Sequence, residues 1–148
     1  MSESRINLPR VVPDAYRAIS GVEPVIRGCG LEPSLIERVK LCASQINQCA
    51  HCINMHSQDV RRGGEREQRS HLLNARRETP LYSERERAAL MWAEHLNRLP
   101  ADDPGGRFEQ LRTVFSEVEI ANLTVLVGLI NLWNRIGVGM HMSPTVAS

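Results

Sequence analysis

Two cysteines stand three residues apart, with a histidine one helical turn further on, in the stretch Cys49-Ala-His51-Cys52-Ile-Asn-Met-His56. In a helix, a rise of about 1.5 Å per residue and a Cα radius of about 2.3 Å place the two cysteine Cα atoms about 5 Å apart, a span that a disulfide bridges. The pair can therefore close and reopen. His56 falls on the same face, within reach of the Cys52 thiol proton directly or through one water. An ordinary thiol with a pKa of about 8.5 is only a few per cent thiolate at neutral pH, so a neighbouring base makes Cys52 the better nucleophile. The positive helix N-terminus acts more strongly on Cys49. A sulfenic acid formed on Cys52 would condense with Cys49, and an external dithiol would reduce the resulting disulfide. This chemistry calls for no cofactor.

The elements that must position these groups read as helices, because apolar residues recur at three and four and no stretch alternates as a strand would. A helix is expected from Pro13 to about Ile26, weakened or kinked by Gly21 and Pro24. Pro33 opens a second, with Ile36, Val39, Ala43 and Ile46 on one core-facing stripe. The cysteine helix begins near Cys49 and ends at Gly63 and Gly64. Residues 65–78 form a polar, helical segment closed by Pro80. Ser83 with Glu86 and Ser116 with Glu119 make capping boxes for two later helices, with Phe108, Leu111 and Phe115 marking another between them. Residues 1–12 and the tail from 139, with the chain already loosening at Gly137, are expected to be loose. The fold class is all-α, in a single domain spanning residues 1–148.

With 148 residues, 42% hydrophobic content, 24% charged residues and a net charge of +1, the chain can bury a core without disulfide or metal staples. The balance of 18 Lys and Arg against 17 Asp and Glu supplies no field for nucleic acid or an anionic membrane. The longest apolar run, Ile120 to Ile130, is too short to cross a bilayer, and no secretory signal heads the chain, so the expected compartment is the cytosol. There a C-x-x-C serves redox chemistry or metal binding rather than a disulfide scaffold. Zinc would need a second ligand pair; Cys29, Cys42 or His71 would have to be recruited from elsewhere, and none is spaced for it. No metal site is therefore assigned. Ile53 after Cys52 excludes c-type haem attachment. Cys29 and Cys42 read as passive thiols, and His71 and His95 as surface or half-buried residues. Trp92 and Trp133 read as core or interface residues. The segment from Arg61 to Arg77, with six arginines against two glutamates, reads as a solvated or intersubunit surface without a nucleic-acid motif. Met140-His141-Met142 has too few ligands for a soft-metal clip.

Extended to the stretch ERVKLCASQINQCAHCINMH, with Glu37 twelve residues before Cys49, the pattern resembles the AhpD-like alkyl hydroperoxidases of the carboxymuconolactone decarboxylase superfamily. The likeness continues through DVRRGGE and ERAALMWAEHL and ends in INLWNRIGVG. It implies an all-helical AhpD-like bundle assembled as a homo-oligomer, often a trimer or hexamer, acting on a small-molecule peroxide. It also implies a peroxidatic Cys52, a resolving Cys49 and a proton relay of His56 with Glu37. Two positions depart from the family pattern: Gln48 stands where glycine is common, and Cys42 where cysteine is unusual. His51 also occurs in some members, although a regular helix turns it away from the cysteine face.

One continuous helix over residues 37–49 would hold Glu37 about 18 Å from Cys49, too far for a shared relay. The chain must therefore turn, most simply at Gln45, Asn47 and Gln48. Four functions remain open at this point: a thiol-dependent peroxidase, a thiol–disulfide oxidoreductase or redox sensor, a decarboxylase-like enzyme, and a zinc-stabilised binding module.

Overall fold

The computed structural model describes residues 4–144. Among them the chain forms α1 (Leu8–Val11), α2 (Pro13–Ser20), α3 (Val22–Arg27), α4 (Pro33–Ile46), α5 (Ala50–Arg62) and α6 (Glu67–His71). A 3-10 turn (Leu73–Glu78) leads to α7 (Glu84–Arg98), α8 (Arg107–Arg112) and α9 (Glu117–Gly139), with no strand among the described residues. The all-α, single-domain expectation holds. No helix is long and apolar enough to cross a membrane among the described residues. Pro33 does start α4, and both capping boxes form: Ser83 and Ser116 each accept from the backbone three residues on, while Glu86 and Glu119 reach back. The expected kink at Gly21 is a full break between α2 and α3.

Helix α4 sits at the centre, packed against α5, α7 and α9. It is buried on every side from Leu35 to Ser44, apart from half-exposed Glu37, rather than on the single stripe its apolar residues suggest. Two cations on it are buried because each has a carboxylate: Arg38 Nη1 donates to Glu86 Oε1 at 2.7 Å and Lys40 Nζ to Glu23 Oε2 at 2.7 Å. Breaking either pair would strand a charge away from water. The arginine-rich segment is likewise less solvated than its sequence implies. Arg76 is buried against Glu94, and Arg69 bridges Glu65 and Glu86 at 2.7 and 2.8 Å.

Residues at the two ends of the described chain also depart from expectation. Arg5 N–H donates to the Met140 carbonyl at 2.8 Å and its Nη1 to Gly139 O at 3.2 Å, so the segments expected as loose tails are tied to each other. The expected tails' outermost residues, 1–3 and 145–148, lie outside the described residues.

The required reversal lies between α4 and α5. Gln48, exposed, takes φ 55°, the left-handed region where a Cβ is strained and glycine is not. Gln48→Gly should therefore raise stability by about 0.5–1 kcal/mol, read as a higher urea midpoint; an unchanged or lowered midpoint would contradict the strain.

Candidate active site

The turn that joins α4 to α5 is pinned by amides. The Asn47 side-chain amide faces the side-chain oxygens of Asn97, Asn131 and Asn134 at 3.1, 3.1 and 2.9 Å. Asn134, itself buried, donates to Ser44 Oγ at 3.0 Å, and Cys49 N–H donates to the Ser44 carbonyl at 3.1 Å. Helices α4, α7 and α9 thus fix where α5 begins. Asn47 stands in the turn that the sequence required, but nothing in the sequence singled out Asn97, Asn131 and Asn134, which converge on it from two distant helices only after folding.

Cys49 is the N-cap of α5, its sulfur accepting from Cys52 N–H at 3.3 Å. A thiolate here would gain from the helix N-terminus, and one turn on Cys52 stands at disulfide distance with its Cα 5.3 Å away, close to the spacing expected of a helix. Both are buried, yet only Cys52 borders the neighbouring cavity. Behind the pair, Gly137 of α9 leaves no room for a side chain: an added Cβ would lie 2.7 Å from Cys49 Sγ and 3.3 Å from Cys52 Sγ. The expectation that the chain loosens at Gly137 is therefore corrected. It is a packed wall of the dithiol.

Reversal of the chain brings Glu37 of α4 against His56 of α5. His56 is 4% exposed, and its Nδ1 lies 3.0 Å from Glu37 Oε2 and 3.7 Å from Asp59 Oδ2. With Nδ1 engaged by carboxylate, Nε2 is the ring nitrogen left to exchange protons. Burial pulls the Glu37 carboxyl upward, but the hydrogen bond with His56 and the charge of Lys40, 3.6 Å away, outweigh it and hold the group below its ordinary value. The carboxylate is thereby kept ionised beside the imidazole, ready to stabilise its protonated form.

Glu37, His56 and Asp59 have ligand atoms within 4.8 Å of one another, and this trio contains neither cysteine. Lys40 already supplies a cation to Glu37, so the trio fits a proton relay better than a metal cage. Cys42 is fully buried, and burial pushes its thiol pKa up, as suits a passive core residue. His71 is exposed and pairs loosely with Glu67. His51, by contrast, does border the cavity, with its Nδ1 3.3 Å from the Ser143 carbonyl.

The cavity holds about 510 Å³. Cys52, His56 and Lys40 lie on its polar side, while Leu8, Met55, Trp133, Ile136, Met140 and Met142 form much of its apolar wall. Trp133 is held by a bond from Nε1 to Glu23 Oε1 at 3.1 Å, the same carboxylate that pairs with Lys40.

A helical domain built around a buried C-x-x-C, with His56 on the same helix and Glu37 on the adjoining one, defines an AhpD-like protein. Residues 13–95 match the carboxymuconolactone decarboxylase family, and the chain belongs to it. It is 32% identical over 137 residues to the uncharacterized protein YdfG of Bacillus subtilis (strain 168), covering 92% of this chain and 93% of the relative. It also resembles the crystal structure of a protein of unknown function from Agrobacterium tumefaciens, described as a putative antioxidant defence protein AhpD. There the TM-score is 0.93 and the identity 40%, covering 98% of this chain and 100% of that one. The debrominase Bmp8 shares the fold, with a TM-score of 0.82 and 19% identity over 91% of this chain and 73% of that one.

Two consequences can be measured. Gly137→Ala forces a methyl into the sulfurs and should cost about 1–3 kcal/mol in urea unfolding; an unaffected midpoint would show that the wall yields. The lowered Glu37 carboxyl adds stability that is fully present above its ordinary value of 4.5 and lost as pH falls through the still lower folded-state value. The stability gap between wild type and Glu37→Gln should therefore be widest near neutrality and close in acid, and a gap that is constant with pH would contradict this.

Proposed function

We propose that the protein is a thiol-dependent peroxidase in which Cys52 is the peroxidatic residue. The observation that carries this reading is that Cys52 alone of the dithiol faces a cavity that it shares with His56, whose imidazole is backed by Glu37. His56 accepts the Cys52 thiol proton, and the thiolate attacks the distal peroxide oxygen. An S–O bond forms as the O–O bond breaks, and the leaving alkoxide takes the proton back from the imidazolium, giving an alcohol. Cys49 then displaces hydroxide from the sulfenic acid, which leaves as water with the Cys49 proton, and the disulfide closes. An external dithiol, oxidised in turn, restores both thiols.

The apolar wall favours an organic hydroperoxide over hydrogen peroxide, because a carbon chain gains by leaving water there. The alternative uses of the dithiol fit less well. A protein disulfide must place its sulfur directly against the attacking thiol, and Cys52 is 2% exposed, so thiol–disulfide exchange with another protein would require the site to open. Decarboxylation would leave the dithiol without a part. Debromination, the activity of the debrominase Bmp8, would draw on the same thiols and the same apolar wall.

The test is to treat reduced protein with one equivalent of cumene hydroperoxide or hydrogen peroxide and follow intact mass and free thiols. Wild type should lose two hydrogens and two thiols, faster with the organic peroxide. Cys49→Ser should stop at a sulfenic acid or over-oxidise, and Cys52→Ser should be nearly inert. Glu37→Gln should slow the first step by about tenfold or more, the usual scale of a lost general-base partner. Oxidation at a rate indifferent to Cys52 would refute the assignment.

A further inference from the structure

The end of the arginine-rich segment, which the dithiol chemistry leaves unused, lines a second cavity. It holds about 740 Å³ between the 3-10 turn, α7 and α8, and it shares no lining residue with the dithiol cavity. Four guanidiniums line it: Arg76 and Arg77 from the turn, Arg87 from α7 and Arg107 from α8. Glu84, exposed, is the one carboxylate among the lining residues. Arg76, 8% exposed, donates to Glu94 and to the Leu73 carbonyl, and Arg77 Nη2 donates to the same Glu94 Oε2 at 2.9 Å. Arg98 reaches that carboxylate too, 2.9 Å from Oε1, so one negative charge stands against three positive ones. Arg107 Nη1 donates to Asp103 Oδ1 at 3.2 Å, and its guanidinium lies over Gly105, where an added Cβ would come within 3.0 Å of Nη1. Arg87 differs from the others: half-buried, it donates to the carbonyls of Arg76, Thr79 and Tyr82 and has no ion pair among the described residues. Carbonyl dipoles satisfy its N–H groups in part but cancel no charge.

Each guanidinium carries five N–H donors, and the bonds above occupy at most three of any set, so all four arginines keep donors to offer. Glu94 and Asp103 stand outside the lining, where they hold the arginines in place without filling the space the arginines border. A concave site lined in this way concentrates its field on an anion. We infer that the cavity binds a small molecule carrying a diphosphate group. Arginine bonds phosphate oxygens in pairs, and one phosphate has oxygens for only two or three such partners. Four arginines arriving from three elements match the longer row of oxygens on a diphosphate. Ala88, Met91 and Val114 give the rest of the lining an apolar character, which leaves room for an organic group attached to the anion. This inference does not depend on the peroxidase reading.

Equilibrium dialysis of the full chain at low ionic strength, against labelled inorganic phosphate, pyrophosphate and ADP in turn, tests it. Pyrophosphate and ADP should each bind, one molecule per chain, at least about tenfold more tightly than inorganic phosphate, because only the longer anion reaches all four arginines. Arg77→Gln and Arg107→Gln, whose side chains are 69% and 32% exposed and whose loss strands no buried charge, should each weaken pyrophosphate by about tenfold or more. Circular dichroism confirms that both variants are folded. Arg17→Gln, which removes an exposed arginine outside the cavity, should leave the affinity unchanged. No binding of pyrophosphate or ADP at millimolar concentration, or a loss that Arg17→Gln reproduces, would overturn the site. Equal affinity for phosphate and pyrophosphate would overturn the diphosphate assignment. Exclusion of ADP while pyrophosphate binds would overturn the place given to an organic group and leave the free anion as the ligand.

Discussion

A carboxylate and an imidazole nineteen residues apart share one hydrogen bond, His56 Nδ1 to Glu37 Oε2 at 3.0 Å, and much of the molecule is arranged to permit it. The bond requires α4 and α5 to lie side by side, hence a reversal within the few residues between them. That reversal is achieved at a cost in backbone strain at Gln48 and is held by the amides of Asn47, Asn97, Asn131 and Asn134. Because these amides come from two helices, α7 and α9, besides the turn itself, the dithiol is referenced to the bundle rather than to one loop. An imidazole positioned in this way has its geometry set by the packing of the helices.

Helix α9 shows how one element can serve several ends. Its buried side completes the core through Leu123, Leu126, Val127 and Ile130 and reaches the site through Asn134 and Gly137. Trp133, on the cavity side, ties the apolar wall to Glu23 and so to Lys40. The mean hydropathy of such a helix is high because it has apolar faces towards both the bundle and the outside. An ordinary amphipathic helix would have carried charge along the face that contains Val118, Val125 and Leu132.

The buried charges follow one rule throughout. Arg38, Lys40 and Arg76 are all nearly inaccessible, and each is matched by glutamate from another element. The pairs of Arg38 and Lys40 link α4 to α3, α6's flank and α7, and that of Arg76 links the 3-10 turn to α7, with a directional specificity that apolar packing lacks. Lys40 has the widest influence, since its ammonium lies between Glu23, which orients Trp133, and Glu37, which orients His56.

The sequence by itself determined the helical class, the ends of most helices and the spacing of the two cysteines and His56. Caps, prolines and the C-x-x-C spacing act over one or two turns, and local geometry is enough to read them. It also required a turn between Glu37 and Cys49, since a rigid helix would have held them apart. Tertiary structure alone decided which cysteine meets the cavity, that Gly137 walls the dithiol while Asn97, Asn131 and Asn134 pin the turn before it, and that residues expected as loose ends are bonded to one another beside it. It likewise turned a charge-rich segment partly inward and buried α4 on nearly every side. Those outcomes depend on contacts between residues tens of positions apart, for which neither periodicity nor local spacing carries a signal.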